Sequence, residues 1–163
     1  MARLLIIDDD DAFRDALMET LASLGHEVDA AARGRDGVRA VLQARYDAVF
    51  LDHRMPDMDG LQVLATLRER LPDAKPMPPV IVLTAHASGT NTIEAMRLGA
   101  FDHLAKPIGR DALADVLGRA LRRDTHKATL GGQAAISLGF YAFLLFSSTP
   151  FARIHPAPAD GPG

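Results

Sequence analysis

The sequence predicts an α/β fold, a doubly wound five-stranded parallel sheet with five helices. Over residues 1–123, short apolar runs suited to β-strands alternate with segments of helical period. Alternating β and α elements imply a parallel sheet with helices on both faces. The apolar runs are nearly continuous, which is typical of strands that are buried on both faces.

The first half of the predicted fold contains three strands and two helices. Residues 4–7 form the first strand, and residues 12–24 form the first helix, which Gly25 closes. Asp10 or Asp11 is expected to cap this helix, because a carboxylate accepts hydrogen bonds from the free N–H groups of a first turn. The other elements of this half are a strand at 28–31, a helix at 36–44 and a strand at 48–51.

The second half contains two strands and three helices. The third helix, residues 60–71, ends before Pro72, and the fourth, residues 90–98, is closed by Gly99. The remaining elements are strands at 80–83 and 103–105 and a last helix at 110–122. Together these elements make five consecutive βα units.

Composition limits both the size and the class of the protein. A chain of 163 residues holds about one domain, and 48% hydrophobic residues are enough to form its core. The net charge of −3 gives no general attraction to nucleic acid, so we expect no direct nucleic-acid binding by this chain. Cysteine is absent and the acidic N-terminus does not resemble a signal peptide, which favours a cytoplasmic location.

The composition changes after the last predicted helix. Only Arg153 and Asp160 are charged after residue 127. We therefore divide the chain into a domain at 1–123 and a tail at 124–163, apolar at first and then rich in Pro and Gly, with no recognisable output domain. The tail could be a membrane anchor, a segment that packs on the domain or on a second chain, or a truncated or out-of-frame remnant. We favour packing or a remnant, because the hydrophobic centre at 134–146 is short for a membrane span.

Polar residues that could build one site follow four of the five predicted strands. In strand order they are Asp8 and Asp9, Asp52, Thr84 and Lys106. Because the carboxyl ends of parallel strands converge on one crevice, we expect these side chains to meet there. Three close carboxylates repel one another, and Mg²⁺, which takes oxygen ligands, would relieve that repulsion. Mg²⁺, Lys106 and Thr84 could each contact a phosphoryl oxygen, and Asp52 could be the nucleophile.

With these residues the sequence resembles the receiver domain of two-component response regulators, over about residues 3–123. The motifs that carry the resemblance are Asp8-Asp9, Asp52 with residues 55–60, Thr84-Ala85 and Lys106-Pro107. The resemblance implies a flavodoxin-like sheet with strand order 2-1-3-4-5. Thr84-Ala85-His86 and residues 99–102 are most similar to receivers of the nitrogen-regulation group, which usually precede an ATPase output domain.

The resemblance also implies a function. Asp52 would accept a phosphoryl group from the phosphohistidine of a sensor histidine kinase or a phosphotransfer protein, in a self-catalysed transfer rather than as an enzyme with other substrates. Mg²⁺ would be held by Asp9, Asp52 and the backbone carbonyl of Arg54, with Asp8 acting through water. Thr84 would move toward the acyl phosphate, and the face of the fourth helix, fifth strand and fifth helix would then change partners.

The chain departs from the family pattern at His103, where receivers commonly carry Tyr or Phe. We still predict a switch role for His103 beside Thr84, and a weaker or pH-sensitive switch is the less favoured alternative. Three residues are expected to set the lifetime of the phosphoryl group: His53 and Arg54, just after Asp52, and His86, two residues after Thr84. The peptide bond between Lys106 and Pro107 is expected to be cis, as the resemblance implies.

Two other classes of function were weighed. A phosphatase with an aspartyl-phosphate intermediate typically needs an acid two residues after its nucleophile, and Arg54 stands there. A receiver-like module with impaired switching, acting through constitutive protein contacts, is the alternative that His103 leaves open. The sequence also permits a homodimer, and it makes a membrane location unfavourable.

Overall fold

The computed structural model describes residues 1–86 and 89–129, with side chains described as far as residue 122. Five parallel strands form one sheet in the order β2-β1-β3-β4-β5. The strands are β1 (Arg3–Ile7), β2 (Glu27–Ala31), β3 (Ala48–Asp52), β4 (Val80–Thr84) and β5 (Asp102–Ala105). The helices are α1 (Asp11–Ser23), α2 (Gly34–Gln43), α3 (Gly60–Arg70), α4 (Gly89–Arg97) and α5 (Arg110–Thr129). The predicted fold class and strand order are confirmed.

The predicted bounds agree with the structure to within two residues, except at the end of α5. That helix continues to Thr129, whereas the sequence analysis ended it at residue 122. The apolar periodicity stops at Leu121, but neither Gly nor Pro occurs between residues 119 and 129 to end the helix. The helix therefore passes the predicted domain boundary. The predictions made for the tail beyond residue 129 fall outside the described residues.

The sheet is covered on both faces, as in a doubly wound fold. Leu5, Ile7, Val49 and Leu51 pack with α2, α3 and α4 on one face. On the other face Leu4, Ile6 and Phe50 belong to a second cluster, with side chains of α1 and α5. Every residue of β3 and β4 is buried, which explains why these strands read as continuous apolar runs. Among residues 1–86 and 89–129, no helix has the length and apolar character needed to cross a membrane.

Helix α2 is held at both ends by side chains from distant loops. The residue before it, Arg33, has only donors and cannot cap it. Instead, Asp57 of the β3–α3 loop accepts hydrogen bonds from the backbone N–H groups of Gly34 (3.1 Å) and Arg35 (3.0 Å). At the other end the Lys75 ammonium donates to the carbonyl oxygens of Val41 (2.6 Å), Leu42 (3.1 Å) and Ala44 (3.0 Å). A carboxylate and an ammonium thus complement the two ends of the helix dipole.

We predict that Lys75→Met lowers the free energy of unfolding by about 1–3 kcal/mol, because three carbonyl groups lose a charged donor. Urea denaturation of the two proteins measures this difference. Arg45→Met is the matched control, since it removes an exposed cation near the same helix end and should cost under about 0.5 kcal/mol. Equal losses for the two variants would show that only net charge matters at this end.

Candidate functional site

The predicted site residues meet at the carboxyl edge of the sheet. Asp8 follows β1, Asp52 ends β3, Thr84 ends β4 and Lys106 follows β5. Parallel register aligns these ends, with Asp52 opposite Leu83 in the neighbouring strand. They surround a cavity of about 290 Å³, whose lining residues are Asp8, Asp9, Asp10, Asp52, His53, Arg54, Thr84, Ala85, His86, Asn91 and Lys106.

The Lys106 ammonium bridges two of the three carboxylates. Its Nζ lies 2.8 Å from Asp8 Oδ2 and 3.1 Å from Asp52 Oδ1. Asp8 is fully buried, and its other oxygen accepts a hydrogen bond from the backbone N–H of Asp10 at 2.9 Å. Carboxylate oxygens of Asp8, Asp9 and Asp52 all lie within 4.8 Å of one another. The crevice therefore concentrates three acidic groups around one ammonium.

This environment raises the pKa values of Asp52 and of Lys106. Burial raises the pKa of Asp52 to about 6, the charge of Asp8 adds to the rise, and Lys106 opposes it. Burial alone would lower the pKa of Lys106. The hydrogen bonds and charges of Asp8 and Asp52 outweigh burial, so the Lys106 pKa is raised. Lys106 therefore remains an ammonium at neutral pH, while Asp52 is ionised but more basic than an ordinary aspartate.

The donor set fits a hard divalent cation. Carboxylate oxygens are the ligands that Mg²⁺ prefers, and three of them converge here. Both carboxylate oxygens of Asp8 already accept hydrogen bonds from other groups of the protein. Asp9, which is exposed, and Asp52 also line the cavity. Arg54 also lines the cavity, as a backbone ligand must. Asp9, Asp52 and the Arg54 carbonyl could thus ligate an ion directly, with Asp8 in the outer sphere.

The chain between β3 and α3 passes so close to Asp52 that only glycine fits at position 60, the first residue of α3. A Cβ atom there would lie 2.7 Å from the carbonyl oxygen of Asp52 and 3.1 Å from Cα of His53. The backbone N–H of Gly60 donates to the carbonyl oxygen of His53 at 2.8 Å. A reciprocal capping box between Asp59 and Gln62 begins α3 at the same point. This packing fixes the loop that carries Arg54.

The two predicted switch residues lie in different places. The Thr84 hydroxyl donates to the His86 carbonyl oxygen at 2.8 Å and accepts from the His86 N–H at 3.1 Å, so it is engaged with the loop after β4. His103 lies on β5, an edge strand, and does not line the cavity. Its side chain is 38% exposed, and its Nδ1 lies 3.6 Å from Asp102 Oδ1. The cavity therefore includes Thr84 and excludes His103.

Two residues of α1 that were not predicted from the sequence support the site. The Phe13 ring centroid lies 4.0 Å from Lys106 Nζ. The Arg14 guanidinium donates to the carbonyl oxygen of Asp8 at 2.8 Å. Asp10 caps α1 as expected, accepting from the N–H of Phe13 at 3.1 Å. The cap fixes where α1 begins, and therefore which of its side chains face the crevice. It was the one signal in the sequence from which the position of Phe13 could have been predicted.

The fold and this crevice define a five-stranded parallel α/β domain with an acidic site at the carboxyl edge of its sheet, and comparison with known proteins gives the family. The family described as "Response regulator receiver domain" matches residues 4–118. The chain belongs to this family. The peptide bond between Lys106 and Pro107 is cis, as the resemblance implied.

Among curated proteins, the chain is similar to the regulatory protein AtoC of Escherichia coli K12, with 37% identity over 77% of this chain and 26% of AtoC. It is 36% identical to the response regulator MprA of Mycolicibacterium vanbaalenii, over 83% of this chain and 57% of MprA. The chain thus spans between a quarter and three fifths of the length of these relatives. The chain is also 37% identical to the transcriptional regulatory protein GlrR of E. coli K12, over 75% of this chain and 27% of GlrR. The similarity to AtoC and GlrR is consistent with the predicted nitrogen-regulation group.

Solved structures agree on the fold. Chemotaxis protein CheY4 of Vibrio cholerae superposes with a TM-score of 0.69 and 31% identity, over 74% of this chain and 99% of that one. The receiver domain of the Pseudomonas aeruginosa sensor histidine kinase PA1611 has a TM-score of 0.67 and 31% identity, over 74% of this chain and 97% of that one. Its structure is described with a magnesium ion coordinated in the active-site cleft.

We predict that Mg²⁺ binding weakens as the pH falls through about 6, the raised pKa of Asp52. A proton on Asp52 competes with the cation, so affinity should be level above that pH and fall about tenfold per pH unit below it. Titrating Mg²⁺ at pH 5, 6, 7 and 8 by NMR measures the profile. Asp52→Asn should bind more weakly and lose the step near pH 6. Equal affinities of the parent at pH 5 and pH 7 would contradict the prediction.

Proposed function

We propose that Asp52 accepts a phosphoryl group from the phosphohistidine of a sensor histidine kinase or phosphotransfer protein, with Mg²⁺ as cofactor. The observation that carries the proposal is the Asp52 carboxylate, 3.1 Å from the Lys106 ammonium in a crevice shared with two further carboxylates. Family membership supports it, as does the magnesium described in the cleft of the PA1611 receiver. The bound cation would neutralise charge on the transferred phosphoryl group.

In this mechanism the Asp52 carboxylate oxygen attacks phosphorus. The new P–O bond forms as the P–N bond to the donor histidine breaks, and the histidine nitrogen keeps the electron pair. Lys106 exchanges its contact with Asp52 for a phosphoryl oxygen and keeps its 2.8 Å contact with Asp8. The raised pKa of Asp52 makes it a better nucleophile than an ordinary aspartate, and it is still ionised at neutral pH.

The same geometry supports a switch. For its hydroxyl to reach the phosphoryl group, Thr84 must leave the backbone of His86. That exchange pulls the loop between β4 and α4, and α4 begins only a few residues later, at Gly89. We propose that the α4–β5–α5 face, which carries His103, then changes its protein contacts. A self-catalysed transfer of this kind would make the chain a switch rather than an enzyme that acts on other substrates. The cytoplasmic location stays a prediction.

We predict that the chain gains one phosphoryl group when it is incubated with a small-molecule acyl phosphate and Mg²⁺, and that Asp52→Asn gains none. The carboxamide lacks the nucleophilic oxygen anion while keeping the size of the side chain. Intact mass spectrometry measures the addition. Asp15→Asn, an exposed position on α1, is the matched control and should be labelled like the parent.

Two results would overturn the acceptor assignment. One is full labelling of Asp52→Asn. The other is a parent chain that binds Mg²⁺ in solution but gains no phosphoryl group from the acyl phosphate.

A further inference from the structure

Among the described residues, the Lys106 ammonium contacts two carboxylates and one aromatic ring. The carboxylate oxygens are those of Asp8 and Asp52, at 2.8 and 3.1 Å. The ring is that of Phe13, with its centroid 4.0 Å from Nζ. A lysine ammonium has three N–H donors and sits on a flexible four-carbon stem. Its position is therefore fixed only by the groups that contact it. A cation over a ring face within about 6 Å is attracted by the ring quadrupole.

We propose that Phe13 is a positioning residue for Lys106 in phosphoryl transfer. Its ring holds the ammonium over the crevice and keeps it there when the contact with Asp52 is exchanged for one with the phosphoryl group. This inference rests on the proposed function and deepens it, since it assigns a residue outside the acidic and lysine motifs to the same reaction.

The ring itself is held by the start of α1. The Phe13 backbone N–H is bound to the Asp10 cap at 3.1 Å, and its side chain packs against the core cluster that contains Leu17 and Leu113. The adjacent Arg14 donates to the carbonyl oxygen of Asp8 at 2.8 Å, which ties the first turn of α1 to the end of β1. Phe13 therefore belongs to a rigid element and not to a mobile loop, as a positioning residue should.

Phe13 matters most during the transfer. Before it, two carboxylates hold Lys106, whereas afterwards Asp52 is an acyl phosphate and the negative charge lies on the phosphoryl oxygens. Asp8 and the Phe13 ring are the two neighbours that do not change. Without the ring, the ammonium depends on Asp8 alone while it is changing partners, and more of its conformations point away from the phosphoryl group.

The test compares Phe13→Leu, which keeps an apolar side chain without a ring, with Phe13→Tyr, which keeps the ring. With an acyl phosphate and Mg²⁺, Phe13→Leu should be phosphorylated about three- to tenfold more slowly at saturating donor, and Phe13→Tyr within about twofold of the parent. The Mg²⁺ dissociation constant should stay within about twofold in both, because neither variant removes a carboxylate.

A second measurement reads the contact without any phosphorylation. In NMR spectra of the metal-free proteins, the ring current should shift the ε-methylene protons of Lys106 upfield in the parent and in Phe13→Tyr, and this shift should disappear in Phe13→Leu. Parent-like rates in Phe13→Leu, or no upfield shift in the parent, would overturn the positioning role. A parent that shows the shift but is never phosphorylated would instead overturn the proposed function while leaving the contact established.

Discussion

The ammonium of Lys106 between Asp8 and Asp52 is the interaction on which the site depends. A fully buried carboxylate such as Asp8 is stable in its charged form only when it is paired and hydrogen-bonded, and Lys106 and the N–H of Asp10 supply both. The bridge also joins the ends of three strands, β1, β3 and β5, that are far apart in sequence. Removing Lys106 would leave the buried Asp8 carboxylate without its ion pair.

Around this bridge, one side of the crevice is fixed and the other can exchange partners. On the fixed side, Gly60 packs against the backbone of Asp52, and Asp57 joins the same loop to the start of α2. On the opposite side, the hydrogen bonds of the Thr84 hydroxyl within the described part of the chain go to the backbone of His86, in the loop after β4. A hydroxyl that can trade a local backbone partner for a phosphoryl oxygen is a simple bistable element. Under the proposed function, this asymmetry would let a charge added at Asp52 move α4 while Gly60 and Asp57 hold the β3–α3 loop in place.

Sequence reasoning found the residues whose position follows from local rules. Asp52 and Thr84 were predicted because strands end at them, and parallel strand ends converge. Contacts between distant residues were not predictable in this way: the Lys75 bonds to α2 span up to 34 residues, and Phe13 meets Lys106 only after the fold closes. The predicted end of α5 was wrong. The apolar periodicity shows where a helix stops packing on the core, but the backbone hydrogen bonds of α5 continue to Thr129. The switch role of His103 came from resemblance and stays a prediction, and the structure places this residue on the edge strand β5, outside the lining of the cavity.

The most direct test of this account is the Mg²⁺ affinity of Lys106→Met, measured by calorimetry at pH 8 and compared with the parent. If the ammonium and the cation share the same carboxylates, removing the ammonium should strengthen Mg²⁺ binding, because Coulomb repulsion and competition for oxygens are both lost. Arg45→Met, far from the crevice, should bind like the parent. Unchanged or weaker binding by Lys106→Met, with the fold intact, would contradict the account.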